Sequence, residues 1–257
     1  MVGELSSAWR RFRWSHPEWM LAFAAVLAWM GLFALSAFDG AAAATLPWHG
    51  GHHGEVSVPA AGIAGTVHHG AGGHHIAHRV LMSAAMMLPT VLPVARSVGL
   101  SGRWRRRARG PALFAAGYLA VWNAMELAAI TLLALVAPRV EGRWLLAASL
   151  VAAAGWELTG WKLRFLRDCH RLRAIHPNGW RADVGCLRQG LRVGLSCLGA
   201  CWAIMVPMLV VAPGGEMVLM MVLSVVVFAQ RFVSRPATSA RPTAALLTGL
   251  AVVVTVM

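Results

Sequence analysis

The 257-residue chain is 58% hydrophobic and only 13% charged, a balance too apolar for an ordinary soluble domain and natural for one solvated by a bilayer. Its formal net charge of +13 invites a nucleic-acid partner. The basic residues, however, sit in short runs between long apolar windows, which is the pattern of loops beside a membrane.

The apolar windows are continuous rather than alternating, and several reach the roughly 20 residues that a helix needs to cross about 30 Å of hydrocarbon. Trp19 to Phe38 is the first, too long for a cleaved leader and kept as a span. From Asp39 to His75 follows a segment rich in Gly, Ala and His without Lys or Arg, expected to be a flexible extracytoplasmic loop. Ile76 to Leu100 is the second span, with Pro89 and Pro93 each freeing a carbonyl, and Pro111 to Ala137 is the third. Trp144 to Trp161 is the fourth and Leu191 to Ala212, with Pro207, the fifth.

Between the last two, residues 162–190 form a basic loop in which Leu163 to Ile175 is amphipathic and ends at the turn His176-Pro177-Asn178-Gly179. A short interfacial helix fits there. Met217 to Phe232 and Thr243 to Met257 are weaker, shorter windows. The fifth span opens with Gly190 and Gly194 in GxxxG spacing, a signal for close helix packing. No internal repeat is evident.

The expected fold is all-α: one polytopic transmembrane bundle of about seven spans over residues 1–257. Its orientation follows from charge. Arg10, Arg11 and Arg13, the cluster from Arg96 to Arg109, the eight cations from Lys162 to Arg192, and Arg231, Arg235 and Arg241 all fall on one face, leaving Arg79, Arg139 and Arg143 on the other. The face with the excess is cytoplasmic, so the amino terminus is inside and the carboxyl terminus outside. The expected location is the cytoplasmic (inner) membrane, with lipid as a partner and no nucleic acid.

Three groups of residues carry chemistry in this sequence. Eight of eleven histidines lie outside by this topology, as His49, His52, His53, His68, His69, His74, His75 and His78. Imidazole binds copper and zinc, and His74 or His75 with His78 is spaced for one face of a helix. The second group is a pair of soft stripes: His75, His78, Met82 and Met86 on the second span, and Cys197, Cys201, Met205 and Met208 on the fifth. Thiolate and thioether ligands select Cu(I), so these stripes, if opposed, make a copper-compatible lining; ordinary packing of Met and Cys is the bland alternative. The third is Glu126, a carboxylate within the third span one turn after Asn123, which must face the bundle and find a partner. Glu157 has Lys162 and the interface within reach. Cys169 and Cys186 fall in the cytoplasmic loop, where thiols stay reduced, and four cysteines in a chain of this size do not form a disulfide framework.

Ala85-Met86-Met87-Leu88-Pro89 followed by Pro93, the run Ala116 to Trp122, Leu158-Thr159-Gly160-Trp161-Lys162, and Gly190 to Met205 with Cys197-Leu198-Gly199-Ala200-Cys201-Trp202 together resemble a bacterial family of predicted metal-binding integral membrane proteins of unassigned function. The His-rich loop is not part of this resemblance. It implies a Cys/His cluster to which Cys169, Cys197 and Cys201 correspond, while Phe165, Val193 and Ala200 stand where Cys, His and Cys are expected.

The functional expectation is a membrane metal-binding protein, for copper with zinc as alternative, that handles the ion or serves as accessory subunit of a larger membrane complex. A purely structural subunit without metal and a metal transporter are the alternatives. No hydrolase, phosphate-loop or dinucleotide signature is present, so catalysis of its own is not expected.

Overall fold

A computed structural model describes residues 12, 15–45, 72–102, 107–136, 142–169, 171–176, 178–210, 216–232 and 236–256. All regular structure among them is α-helical: α1 Trp19–Thr45, α2 Gly72–Ser101, α3 Arg109–Val136, α4 Gly142–Glu157, α5 Gly160–Asp168, α6 Gly179–Val210, α7 Glu216–Phe232 and α8 Pro236–Val256. Four of these, α1, α2, α3 and α6, are long and apolar enough to cross a membrane, while α7 and α8 hold shorter apolar stretches. Large side chains such as Phe23, Met30, Leu127, Leu132 and Val225 are exposed on the outside of the bundle. A surface of that kind is stable against acyl chains rather than water.

The boundaries differ from the sequence expectation in four places, each for a local reason. The segment expected as a loop, Asp39 to His75, is helical at both of its ends, because α1 continues through Ala41 to Ala44, the strongest helix formers, and α2 already begins at Gly72, while residues 46–71 lie outside the described ones. The fourth window does not run to Trp161. Helix α4 stops at Glu157, and Thr159 caps the new helix α5 by accepting a hydrogen bond from the Lys162 backbone N–H. Where an interfacial helix is expected over Leu163 to Ile175, the helix is α5, nine residues long and ending at Asp168. Finally, α6 begins at Gly179, whose φ of 74° suits glycine, and not near Leu191. Its 32 residues make a rod of about 48 Å, longer than the hydrocarbon is thick.

Helix α6 is the axis of the fold, packed on α3, α4, α5 and α7, while α1 lies on α2 and α8 on α4. The α3–α6 contact is backbone to backbone. A Cβ added at Gly190 would lie 2.1 Å from the Phe114 carbonyl oxygen, and one at Gly117 2.5 Å from that of Leu187. The GxxxG spacing of the sequence thus has its counterpart on α3, and small residues are obligatory on both sides. Gly190→Ala should therefore force the two helices apart and lower stability by about 1–3 kcal/mol, seen as earlier thermal unfolding in detergent. Gly155→Ala, with open space around it, is the control that should not.

Two polar features knit the helices. Pro89 cannot donate to the carbonyl of Ala85, and the indole of Trp29 on α1 donates to that oxygen instead at 3.0 Å. At the α4–α5 break, Glu157 and Lys162 are each 1% exposed and directly paired. Lys162 also donates to Gln230 Oε1 at 2.7 Å, and the Gln230 amide donates to Glu157 Oε2 at 2.9 Å and to Thr243 Oγ1 at 3.1 Å. The pairing of Glu157 with Lys162 agrees with the sequence reading. Their burial does not, since neither side chain snorkels to the interface.

Candidate metal centre

The soft donors fall into two groups, one above the other along α6. Spacing by four residues keeps Cys197, Cys201 and Met205 on one face of that helix, and all three are buried, as is Met208. Helix α2 presents Met82 and Met86, also buried, and runs in the opposite sense, for its Met82 and Met86 share a cavity with Met205 while Thr90, further along it, reaches Cys197 through Tyr118.

The upper group surrounds a cavity of about 30 Å³ between α2, α3 and α6, lined by Met82, Met86, Met87, Met125 and Met205 together with Ser83, Trp122, Glu126 and Leu209. The volume has room for an ion or one or two waters and for nothing larger. Glu126 is 8% exposed. Its carboxylate accepts a hydrogen bond from Ser83 Oγ at 3.0 Å and pairs with Arg79 at 3.3 Å, so the charge is compensated within the bundle as hydrocarbon requires. Asn123 is not its partner, for it donates to its own helix at Leu119 O. His78 lies half-buried within Coulombic reach of Glu126. His74 and His75 sit in the first turn of α2, with side chains outside the described residues, and His49, His52, His53, His68 and His69 lie outside them altogether.

The lower group is made of thiols. Cys197 Sγ accepts a hydrogen bond from Tyr118 Oη of α3 at 3.1 Å, and that hydroxyl is 3.4 Å from Thr90 Oγ1 of α2. Cys197 is also in hydrogen-bond contact with Cys201, one turn on, and with Cys169, at the end of α5. The bond to Cys197, and then burial, hold the Cys169 thiol well above its ordinary range, so Cys169 is the donor of that pair. The three sulfurs form a row centred on Cys197 rather than a convergent set. Among the described residues, no group of three or more His, Cys, Asp or Glu side chains is arranged to hold a metal ion as it stands.

The sequence expectation put Cys197 and Cys201 against Met82 and Met86. The structure brings only Met205 to those two residues; Cys197 meets α2 one turn further on, through Tyr118 and Thr90. The reason is the antiparallel run of the two helices. Of the residues at altered positions, Val193 and Ala200 are buried on the same helix as Cys197 and Cys201, and the Phe165 ring packs on Gly199, where a Cβ would lie 2.7 Å from it.

Sequence reasoning also missed Met125, Tyr118 and Arg231. The first is adjacent to Glu126, a signal that was available. Arg231 was counted with the cations of the cytoplasmic face, yet it is only 7% exposed and lies beside Cys169, within Coulombic reach of Cys197. Its Nε donates to Thr90 O at 3.3 Å and its Nη2 to Cys169 O at 3.4 Å.

The interior of this helical bundle thus stacks thioethers and thiols, donors of the kind that soft metal ions take. Residues 76–254 match the PpoB2 family, described as copper chaperone, and the chain belongs to it. No curated protein and no solved structure is a match to the chain.

Proposed function

We propose that this protein carries Cu(I) as cargo in the interior of its membrane bundle and passes it to a partner protein. The observation that carries the reading is the stacking of two soft-donor groups on one face of α6, five methionines around a cavity above and three thiols below. Thioether and thiolate donors favour Cu(I) over harder divalent ions. Zinc fits poorly here, because it takes four ligands in a tetrahedron and the thiols lie in a row. The family description as copper chaperone agrees with this choice of ion. In this reading the outer histidines, His74, His75 and His78 with His49 to His69, collect the ion outside the membrane, and His78 beside Glu126 leads to the methionine cavity. Accessory service to a larger membrane complex, with the client bound at the bundle, is the role this implies.

The test is metal stoichiometry of protein purified in mild detergent and loaded with Cu(I), or with Ag(I) as a redox-inert substitute. Replacing Met82, Met86 and Met205 together with Leu should remove the ion held in the cavity while the protein stays folded, because Leu conserves volume and polarity but not the sulfur. Unchanged stoichiometry would leave the methionines as packing.

Transport is the second reading, favoured by the column of donors extending along α6 through both groups. Sealed vesicles separate the two. A carrier loads without moving Ag(I) across the bilayer, and a transporter accumulates it.

The same reading includes seven crossings with the amino terminus in the cytoplasm, supported by the charge asymmetry. A reporter fused after Arg109 should be active only in a cytoplasmic form, and one fused within residues 49–69 only in an exported form.

A further inference from the structure

We propose that Arg231 is the built-in counter-cation of a two-coordinate Cu(I) unit formed by Cys169 and Cys197. The inference rests on the copper reading above and extends it to a residue that no metal-ligand pattern includes. Arg231 is 7% exposed. Its hydrogen bonds go to two backbone carbonyls, Thr90 O and Cys169 O, and its Nη1 is buried with no hydrogen-bond partner. No carboxylate among the described residues pairs with it. The guanidinium instead lies beside the side chain of Cys169 and within Coulombic reach of Cys197. A second cation, Lys162, is near Cys201, but its charge is already matched by Glu157. The thiol row thus faces a positive charge that no carboxylate among the described residues matches, and a buried charge of that kind needs an anionic partner in a low-dielectric interior.

Charge accounting supplies the use. Cu(I) replaces two thiol protons: one cuprous ion and two RSH give [RS–Cu–SR]⁻ and two protons, which pass to water, and no electron moves. The product carries one net negative charge, equal and opposite to the guanidinium. A divalent ion on the same two thiolates is neutral and would leave Arg231 unmatched. Cu(I) is stable with two thiolates in line, so the site needs no third convergent ligand, in keeping with a row of sulfurs rather than a triad. Arg231 is therefore a positioning residue that favours a monovalent soft ion at this pair. It lies beside the Cys169 sulfur, and the ion itself is bound by the two thiolates.

The experiment compares wild type, Arg231→Lys, Arg231→Met and the double variant Cys169→Ser/Cys197→Ser. The full-length protein in detergent is titrated with Cu(I) against a competing chelator, and the ultraviolet thiolate-to-Cu(I) absorption is followed alongside. Arg231→Met should weaken binding at the thiols at least about a hundredfold, the scale on which an unmatched buried charge acts. Arg231→Lys, which keeps the charge and loses the planar fork, should stay within about tenfold of wild type. If Arg231→Met does not fold, Arg231→Gln makes the same comparison, being neutral and still able to donate to Thr90 O. Equal binding by wild type and the neutral variant would overturn the counter-cation alone. So would an equal loss in the lysine variant, which would make the effect one of shape. A double serine variant that binds Cu(I) like wild type, with the absorption unchanged, would overturn both this inference and the copper reading of the thiols.

Discussion

Replacing Cys197 with serine should abolish the thiolate-to-Cu(I) absorption and lower Cu(I) affinity at the inner group by more than the roughly 10–100-fold that loss of an outer-sphere partner costs. Cys197 is the centre of the row: Tyr118 donates to it, and both other thiols of the group touch it. Removing Cys201 leaves a neighbouring pair, and removing Cys169 leaves another, but removing Cys197 leaves two sulfurs with nothing between them. Serine keeps a hydrogen-bond acceptor for Tyr118, so the helix contact survives while the soft ligand is lost. Cys186 provides the control. It is equally buried but packs near Gly110 on α3, away from the row, and Cys186→Ser should leave the affinity within about twofold if coordination, not general thiol content, holds the ion. Chelator competition on both variants, run beside wild type, decides the matter.

The largest effect on stability should come from Lys162→Met, which should destabilise the bundle by about 3–5 kcal/mol. Lys162 is 1% exposed, and its ammonium is shared between Glu157 and Gln230. Its removal strands a buried carboxylate with only the Gln230 amide for company. The residues involved come from α4, α5, α7 and α8, so the damage should appear as loss of cooperative unfolding in detergent, or as failure to accumulate in the membrane. A second substitution discriminates charge from packing. Glu157→Leu combined with Lys162→Met takes out both charges, and much of the lost stability should return, as it does when buried pairs are replaced by apolar residues of similar size. If the double variant is no better than the single one, the network acts through its shape instead.

The helices were legible in the sequence where composition alone decides. Four long windows became helices able to span a bilayer, because about 20 apolar residues in hydrocarbon leave the backbone no alternative. The breaks were less legible. Nothing in hydropathy separates Trp161 from the window before it, and the boundary is set by the Thr159 cap and by the need to fold Lys162 back onto Glu157. The site shows the same division. Spacing by four groups Cys197, Cys201 and Met205 on one helix face, and Met82 and Met86 of α2 on another, since helical periodicity is local. Which stripe faces which residue is a tertiary fact. Met125 and Tyr118 join the site through the glycine contacts that press α3 on α6, and Cys169 joins it from beyond the end of α5. Arg231 was the plainest miss. A cation at the end of an apolar window is ordinarily a topology marker, and only the fold reveals that α7 delivers it inward, next to Gln230, which serves the neighbouring ion pair.

The hydrogen bond from Trp29 to the Ala85 carbonyl sets a dependency between two parts of the chain with different histories in the comparison. The region matched to the copper chaperone family begins at residue 76, so α1 lies before it. Yet the proline at position 89 belongs to the matched region and leaves that region's own backbone with an open acceptor in the bilayer, where an unsatisfied carbonyl costs several kcal/mol. Here the debt is met by an indole from outside. Helix α1 therefore acts as a chaperone to α2 within one molecule, supplying in cis the donor that the methionine-bearing helix cannot supply for itself, and any partner that displaced α1 would have to bring an equivalent N–H or O–H to the same oxygen.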